Sequence, residues 1–247
     1  MLTERLRAGE LTLMLGIRSG RTTDIVHIAH STGHHAIMVD LEHSTMSTDT
    51  AAMLCATAGM LGMTAFVRIP EREYGIIGRL LDGGAHGIIA PRIETVDEAR
   101  LVARACRFPP RGQRSQTAMV PQSGMRPTPA RELNPALDNE VVVQILLETP
   151  TGIANADAIA ELDGVDMLAI GANDLTAELG VPGQYDDPRV HEAIATVGAA
   201  AKRHGKLMMV GGMSDVPPDS CPLRITGFDS ALLFQAAKAA AEEASRG

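Results

Sequence analysis

The chain has 247 residues, of which 45% are hydrophobic and 2% aromatic, with no Trp, and its formal net charge is −8. That length suits one barrel-sized domain, and the hydrophobic fraction allows a large core packed mainly by aliphatic side chains and 13 methionines. An acidic protein without a basic stripe repels a phosphate backbone, so nucleic acid is excluded as an expected partner.

The cysteines and the N-terminal segment predict a cellular compartment. Cys55, Cys106 and Cys221 have wide, irregular spacing that favours neither a disulfide framework nor a zinc site. The first residues lack the apolar stretch of a signal peptide, and no apolar run is long enough to span a membrane. We therefore expect a cytoplasmic protein that does not associate with membranes.

In the first half of the chain, short apolar runs alternate with helical patterns. The predicted strands are Leu11–Ile17, Ala36–Leu41, Thr64–Ile69 and Gly87–Ile93. The predicted helices cover residues 23–31, 48–61, 74–81 and 96–107. Between Phe108 and Asn139 the alternation lapses into a stretch rich in Pro, Gly, Arg, Ser and Gln. This stretch reads as one long loop, and a long loop inside a compact domain is often functional.

The alternation resumes in the second half. The predicted strands are Val141–Leu147, Val165–Ile170, Leu207–Val210 and Ser230–Phe234. The predicted helices cover residues 151–161, 188–204 and 235–245. The segment Asp215–Cys221 is rich in Pro and polar residues, so the last strand–helix unit is expected to be irregular.

The repeated strand–helix units predict the fold. Strands that are apolar along their whole length are buried on both faces, and such units in succession imply a parallel sheet. Eight of them in this length favour a (β/α)8 TIM barrel, a single domain over residues 1–247, over an open doubly wound sheet. The absence of G-x-G-x-x-G after the first strand weakens the dinucleotide-binding alternative.

Polar residues end several of the predicted strands, where a barrel of this kind places its active site. Glu148 and Asp174 end consecutive strands, so their carboxylates can converge. Two carboxylates with waters suit a hard divalent ion, and the open positions would let a 2-oxo acid chelate through its carboxylate and keto oxygens. The structural alternative is that Glu148 pairs with an arginine and Asp174 caps the following helix.

His43 and Arg68 end two further strands. His43 is the best candidate for a base because imidazole titrates near working pH, and Asp82 could supply a carboxylate to orient it. Arg68 can neutralise a substrate carboxylate or an enolate oxygen, with a structural ion pair as the alternative. Asp40, Glu42 and His43 cannot all face one pocket without a bend, because neighbours on a strand point in opposite directions.

Two further features bear on the chemistry. Gly171, Ala172 and Asn173 open a helix, whose free backbone N–H groups would bind a carboxylate, while Gly211-Gly212 could instead cradle a phosphate. The only lysines are Lys202, Lys206 and Lys238, and none follows a strand at the catalytic face. A Schiff-base aldolase needs a lysine there, so that mechanism is disfavoured.

Taken in order and spacing, these motifs resemble the HpcH/HpaI family of metal-dependent class II pyruvate aldolases across nearly the whole chain. The motifs are Asp40-Leu41-Glu42-His43, Val67-Arg68-Ile69-Pro70, Leu80-Leu81-Asp82-Gly83-Gly84-Ala85, Pro109-Pro110-Arg111-Gly112-Gln113-Arg114, Glu148-Thr149 and Gly171-Ala172-Asn173-Asp174-Leu175.

The resemblance implies a role for each matching residue. Glu148 and Asp174 would bind Mg²⁺, Mn²⁺ or Co²⁺, and His43 would be the base, acting through a metal-bound water, with Asp82 raising its basicity. Arg68 would stabilise the enolate and the Asn173 N–H would hold the substrate carboxylate. The substrates would be a 2-oxo acid, pyruvate or hydroxypyruvate, and an aldehyde. The resemblance also implies a homohexamer, a dimer of trimers with exchanged C-terminal helices.

The chain departs from the family pattern at several positions. Leu146 stands where the family usually has Gln, with Gln144 two residues earlier, and Ala172 replaces the usual Pro. The segments that match poorly, 115–139 and the tail after Gly212, would border the acceptor pocket. The alternatives are a citramalyl- or malyl-CoA-type lyase, a metal-dependent oxaloacetate decarboxylase or tautomerase, and a non-catalytic binding barrel.

Overall fold

The computed structural model describes residues 2–213 and 222–246. Its eight strands are β1 (Thr12–Ile17), β2 (Ala36–Asp40), β3 (Thr64–Arg68), β4 (Gly87–Ala90), β5 (Val142–Leu147), β6 (Met167–Gly171), β7 (Leu207–Gly211) and β8 (Leu223–Phe228). Its helices are α1 (Leu2–Arg7), α2 (Asp24–Ser31), α3 (Thr48–Met60), α4 (Ile77–Asp82), α5 (Val96–Cys106), α6 (Ala130–Glu140), α7 (Pro150–Ala154), α8 (Ala156–Glu161), α9 (Ala172–Glu178), α10 (Pro188–Arg203) and α11 (Asp229–Ala244).

All seven strand pairs in the sheet are parallel, in the order β7-β6-β5-β4-β3-β2-β1-β8. The two ends of that order, β7 and β8, also contact each other, so the sheet curls into a nearly closed barrel. Helices lie between successive strands from β1 to β7, and α11 follows β8. This is the (β/α)8 TIM barrel that the alternating pattern predicts. None of the described helices is both long and apolar enough to cross a membrane.

The strands are mostly apolar because they separate two cores. On β5, Val142 and Leu146 point into the barrel interior, while Val143, Ile145 and Leu147 pack against the surrounding helices. The outer core is built largely from Ala, Val, Ile and Leu. The barrel interior is packed by larger side chains as well, among them Met14, Met38, Phe66, Met167 and Met209.

Six strands occur within two residues of their predicted bounds, β4 ends three residues before its predicted end, and the eighth strand lies elsewhere. The prediction of a strand at Ser230–Phe234 is wrong, because these residues lie in α11, and β8 is Leu223–Phe228 instead. The Asp229 carboxylate accepts the Ser230 N–H at 2.8 Å at the start of that helix. A short apolar run has no period that distinguishes a strand from a helix, which is why the prediction failed.

The prediction of one long loop over Phe108–Asn139 also needs correction. The segment contains α6, and Phe108, Val120, Leu133 and Leu137 form a small hydrophobic cluster of their own. It connects α5 to β5, which places it at the N-terminal end of the barrel strands, opposite the catalytic face. The expected irregularity of Asp215–Cys221 lies outside the described residues.

Candidate active site

A cavity of about 490 Å³ opens at the C-terminal ends of the strands. The charged side chains that line it are those of Arg18, His43, Arg68, Glu148 and Asp174. Apolar interior residues form its lower wall, among them Met38, Ile89, Leu146, Ala169, Met209 and Phe228. Four of the charged side chains, His43, Arg68, Glu148 and Asp174, were predicted from their positions at strand ends, and Arg18 was not.

Glu148 and Asp174 carry negative charge into a buried site. Glu148 follows β5 and is only 2% exposed, and Asp174 lies in the first turn of α9. Burial and then the charge of Asp174 raise the pKa of Glu148 to about 8, and Glu42 adds to the shift. The Arg92 N–H donates to Glu148 Oε2 at 3.1 Å, and Arg68 opposes the shift, but neither compensates the burial. Within the part of the chain that the structure describes, the positive charge near these two carboxylates does not balance their burial and mutual repulsion.

Gly171 makes room for the Glu148 carboxylate. A Cβ at this position would lie 2.1 Å from Glu148 Oε1, far inside van der Waals contact. Gly171 ends β6, one strand along from Glu148, so the missing side chain lets the two neighbouring strand ends close on the carboxylate. Its importance here comes from the close approach and not from backbone conformation.

Asp40 holds two guanidinium groups on the other side of the cavity. It accepts from Arg68 Nε at 3.0 Å and Nη2 at 2.6 Å, and from Arg18 Nε at 2.6 Å. Burial alone would raise the pKa of Asp40, but the hydrogen bonds and charge of Arg68, with Arg18, lower it to about 2. Arg68 Nη1 also lies 3.2 Å from Glu42 Oε2. A rigid ionic network therefore fixes Arg68 at the cavity wall.

His43 reaches the cavity because the chain bends after β2. Asp40 Oδ1 accepts the backbone N–H groups of Glu42 and His43, at 3.2 and 3.3 Å, which turns the chain at the strand end. This is the bend that the three polar residues require. His43 Nε2 lies 3.7 Å from Glu42 Oε2, so the carboxylate nearest to the imidazole is its own neighbour in sequence.

Asp82 lies far from His43 within the chain. It ends α4, which runs back toward the N-terminal ends of the strands, and its Oδ1 accepts from Arg114 Nη2 at 2.8 Å. The structure therefore does not bring Asp82 to the cavity. The segment 115–139 is also absent from the described cavity lining, and Gln122 there donates to the carbonyls of Leu81 and Ala85.

Comparison with known proteins agrees with this geometry. The sequence model of the HpcH/HpaI aldolase/citrate lyase family matches residues 17–216. The chain belongs to this family. Aldolases make and break carbon–carbon bonds, and the chain is an enzyme of this class.

Two relatives illustrate the similarity of sequence. The 4-hydroxy-4-methyl-2-oxoglutarate aldolase of Hapsidospora irregularis is 39% identical over 217 residues, which are 86% of this chain and 80% of that protein. The 4-hydroxy-2-oxovalerate aldolase of Rhodococcus jostii is 37% identical over 184 residues, 72% of this chain and 70% of that protein. The crystal structure of an HpcH/HpaI aldolase from Desulfitobacterium hafniense superposes with a TM-score of 0.89 at 26% identity, covering 98% of this chain and 96% of that one.

The family suggests a divalent ion, and the residues present fit one. Glu148 and Asp174 are two oxygen-donor side chains, and burial, followed by the charge of Asp174, raises the pKa of Glu148. Among residues 2–213 and 222–246, no cluster of three or more His, Cys, Asp or Glu is arranged to hold a metal. Two carboxylates that leave the remaining positions to water and substrate match what Mg²⁺ and similar hard ions accept.

Two residues that line the cavity, Arg18 and Gln144, were not predicted as site residues from the sequence. Arg18 directly follows β1, so the rule that found Arg68 would also have found it. Gln144 is 2% exposed, donates from Nε2 to Met209 Sδ at 3.6 Å, and has no partner for Oε1 among the described residues. It lies one inward-facing position below Leu146, on the cavity floor, so an amide is present but deeper than in the family pattern.

Proposed function

We propose that the chain is a divalent-metal-dependent class II aldolase. It would cleave or form 4-hydroxy-2-oxo acids through the enolate of pyruvate or hydroxypyruvate, with an aldehyde or ketone as acceptor. One observation carries the proposal: an uncompensated carboxylate pair, Glu148 and Asp174, shares one cavity with a fixed arginine, Arg68, and an imidazole, His43. The aldolase relatives, at 39 and 37% identity, support the same reaction class.

Each side chain has a place in the cleavage reaction. Mg²⁺, Mn²⁺ or Co²⁺ held by Glu148 and Asp174 would supply Lewis acidity toward the donor oxygens. His43 accepts the proton of the 4-hydroxyl group as the C3–C4 bond breaks, so that C4 leaves as a carbonyl. The bonding electron pair stays with C3 as an enolate, whose oxygen Arg68 stabilises. The proton that His43 accepted then passes to C3 and gives the free 2-oxo acid, and formation of the bond is the reverse.

The start of α9 would hold the 2-oxo acid's own carboxylate. Gly171, Ala172 and Asn173 line the cavity at this point, and their backbone N–H groups have no earlier turn of helix to bond to. The Asn173 side chain is engaged elsewhere, because its Oδ1 accepts from the Tyr185 hydroxyl. We therefore assign substrate binding here to the backbone and not to the Asn173 amide.

The lysines argue against the alternative aldolase mechanism. No lysine is among the described residues that line the cavity. Lys206 Nζ donates to the carbonyls of Leu162 and Val165, 3.1 and 2.8 Å away, before β6 begins, and Lys238 lies 3.8 Å from Glu242 on α11. An imine to the donor ketone would need a lysine among Arg68, Glu148 and His43.

The experiment that tests the function is a pyruvate-release assay with 4-hydroxy-2-oxovalerate as substrate. We expect activity to disappear with EDTA and to return with Mn²⁺ or Co²⁺, while borohydride with pyruvate leaves both activity and protein mass unchanged. The metal content of the same sample must be measured, because tight retention would mimic resistance to EDTA. A borohydride-trapped pyruvate adduct together with metal-free activity would overturn the proposal.

We propose in addition that the chain assembles as a homohexamer, a dimer of trimers that exchange α11. The support is the surface of that helix. Leu233 and Phe234 are 69 and 68% exposed, and Asp229 is the only buried residue of α11. A helix whose apolar side chains are not covered by its own chain is typical of one that packs on another subunit.

The two described cysteines support a proposed location in the cytoplasm. Cys55 and Cys106 are buried and form no disulfide, as is usual in a reducing compartment.

A further inference from the structure

Arg18 stands at the cavity wall with its guanidinium held in one orientation. Its Nε donates to Asp40 Oδ2 at 2.6 Å, and its Cζ lies 3.7 Å from the centroid of the Phe228 ring. A carboxylate at one edge and an aromatic face below restrict a side chain that otherwise has many rotamers. This arrangement is more than a surface arginine requires.

The backbone under Arg18 is fixed as well. The Asp229 carboxylate accepts the N–H of Arg18 at 2.9 Å, of Ser19 at 3.0 Å and of Gly20 at 2.6 Å. Three hydrogen bonds to one carboxylate hold the turn that follows β1. The start of α11 thus positions Arg18 from a point 211 residues away in the chain.

The Phe228 ring reaches its place because Gly16 has no side chain. A Cβ on Gly16 would lie 2.6 Å from Phe228 Cδ1, so any larger residue would push the ring away. Gly16 and Phe228 are register partners on β1 and β8. The glycine on β1 therefore leaves space for the Phe228 ring, and that ring packs against the Arg18 guanidinium.

The outer edge of this guanidinium is free. Within residues 2–213 and 222–246, neither Nη1 nor Nη2 of Arg18 has a hydrogen-bond partner, and the side chain lines the cavity. Asp40 is shared with Arg68, which has a second carboxylate, Glu42, 3.2 Å from its Nη1, whereas Arg18 has an ion pair with Asp40 alone among the described residues. Since β1 and β5 stand opposite each other in an eight-stranded barrel, Arg18 faces the carboxylate pair across the cavity. A free, planar, oriented fork suits a carboxylate.

We propose that Arg18 binds a second carboxylate of the substrate, attached to C4. The preferred substrates are then 4-carboxy-4-hydroxy-2-oxo acids, and the acceptor is a 2-oxo acid and not a simple aldehyde. On cleavage, the C3–C4 bond breaks, its electron pair stays with C3, the 4-hydroxyl proton passes to the base, and C4 becomes a ketone that still carries its carboxylate on Arg18. This inference rests on the proposed aldolase function and names the substrate class of the same site.

The test compares two substrates that differ in the C4 carboxylate, 4-hydroxy-4-methyl-2-oxoglutarate and 4-hydroxy-2-oxovalerate, with Mn²⁺ present. Arg18→Gln should lower kcat/KM for the dicarboxylate by about 10²-fold, mainly through KM, because a charge-assisted bidentate contact is lost. For the monocarboxylate we expect a loss of at most about tenfold, from loosening of Asp40 and Arg68. Arg18→Lys, which keeps the charge but not the fork, should fall between.

The control is Arg100→Gln, which removes the same charge from an exposed pair with Asp97 on α5 and should leave the ratio of the two kcat/KM values unchanged. Phe228→Leu removes the platform without removing the charge, and should lower the ratio even if Arg18→Gln does not fold. Equal losses on both substrates would reduce Arg18 to a counterion of Asp40 and overturn the inference. A wild-type enzyme that cleaves 4-hydroxy-2-oxovalerate but not the dicarboxylate would also overturn it and leave the aldolase function standing.

Discussion

Replacing Gly171 with alanine tests the metal site through one atom. The new Cβ would lie 2.1 Å from Glu148 Oε1, 2.9 Å from Cδ and 3.0 Å from Cγ, whereas ordinary contact begins at 3.4 Å. The carboxylate must therefore retreat by about 1 Å, which is well beyond the roughly 0.2 Å that metal–ligand distances tolerate. We expect the affinity for Mn²⁺ to fall by at least about 100-fold, since even indirect disturbance of a ligand costs about 10- to 100-fold.

The fold should survive the Gly171→Ala substitution, because the clashing atoms are the end of a side chain and not backbone. We expect a loss of about 1–3 kcal/mol in the free energy of unfolding, as for other overpacked sites. Gly211→Ala is the matched control: it is the register partner of Gly171 on β7 and lines the same cavity, but its Cβ would meet only Ile170 O at 3.7 Å. Titration calorimetry with Mn²⁺ measures both variants. Equal affinity in the two would show that Glu148 is not a ligand.

Three further predictions concern the proton, the base and the assembly. Because the pKa of Glu148 is raised to about 8, Mn²⁺ must displace a proton from Glu148 below that pH. The apparent affinity for Mn²⁺ should therefore rise about tenfold per pH unit up to about pH 8 and then level off. Calorimetry in buffers of different ionisation enthalpy measures the number of protons released. Without metal, the same shift should lower stability as pH rises from about 4.5 to 8, in contrast to a carboxylate of lowered pKa. His43→Ala should slow the exchange of pyruvate methyl protons with D₂O by about 10²–10⁴-fold, measured by NMR with Mn²⁺ present, and an unchanged rate would point to another base. Leu233→Asp with Phe234→Asp should dissociate the oligomer in light scattering but leave the circular dichroism of the barrel intact, and a wild-type monomer that is stable and active would refute the assembly.

The barrel could be predicted because its strands are buried on both faces. The run Val142–Leu147, within one residue of its predicted bounds, is apolar except for Gln144 and is buried at every position. The same rule failed at residues 230–234, where Leu233 and Phe234 are apolar but exposed on α11. Hydrophobicity there reflects a surface of the subunit and not its core. One chain's pattern does not distinguish these two causes.

The candidate site could be predicted in part, because parallel strands end at one edge. That topology alone brings Glu148, Asp174 and Arg68 to a common cavity. The topology does not predict which groups pair with each other. The sequence does not reveal that Arg68 donates from Nε and Nη2 to Asp40, so that this edge is not available to the substrate. Asp82 was proposed as the partner of His43 from the sequence, and the family resemblance implied the same role, yet within this chain Asp82 ends α4 and pairs with Arg114.

The distribution of charge across the cavity explains why so many ionic groups are kept at one barrel mouth. On the β5 and β6 side, no ion pair with Glu148 or Asp174 occurs within residues 2–213 and 222–246, and the raised pKa of Glu148 shows that this side favours a cation. On the β1 and β3 side, Asp40 and Glu42 hold Arg68, and Asp40 also holds Arg18 through Nε, so the outer edge of Arg18 can bind an anion. Burying unpaired charge lowers the free energy of unfolding, so such charges are expected only where they contribute to function. An aldol reaction is such a function, because negative charge moves between donor and acceptor oxygens during bond cleavage and must be met at both positions. Groups already fixed in place need no reorganisation when that charge appears, which is the condition under which electrostatic stabilisation is most effective.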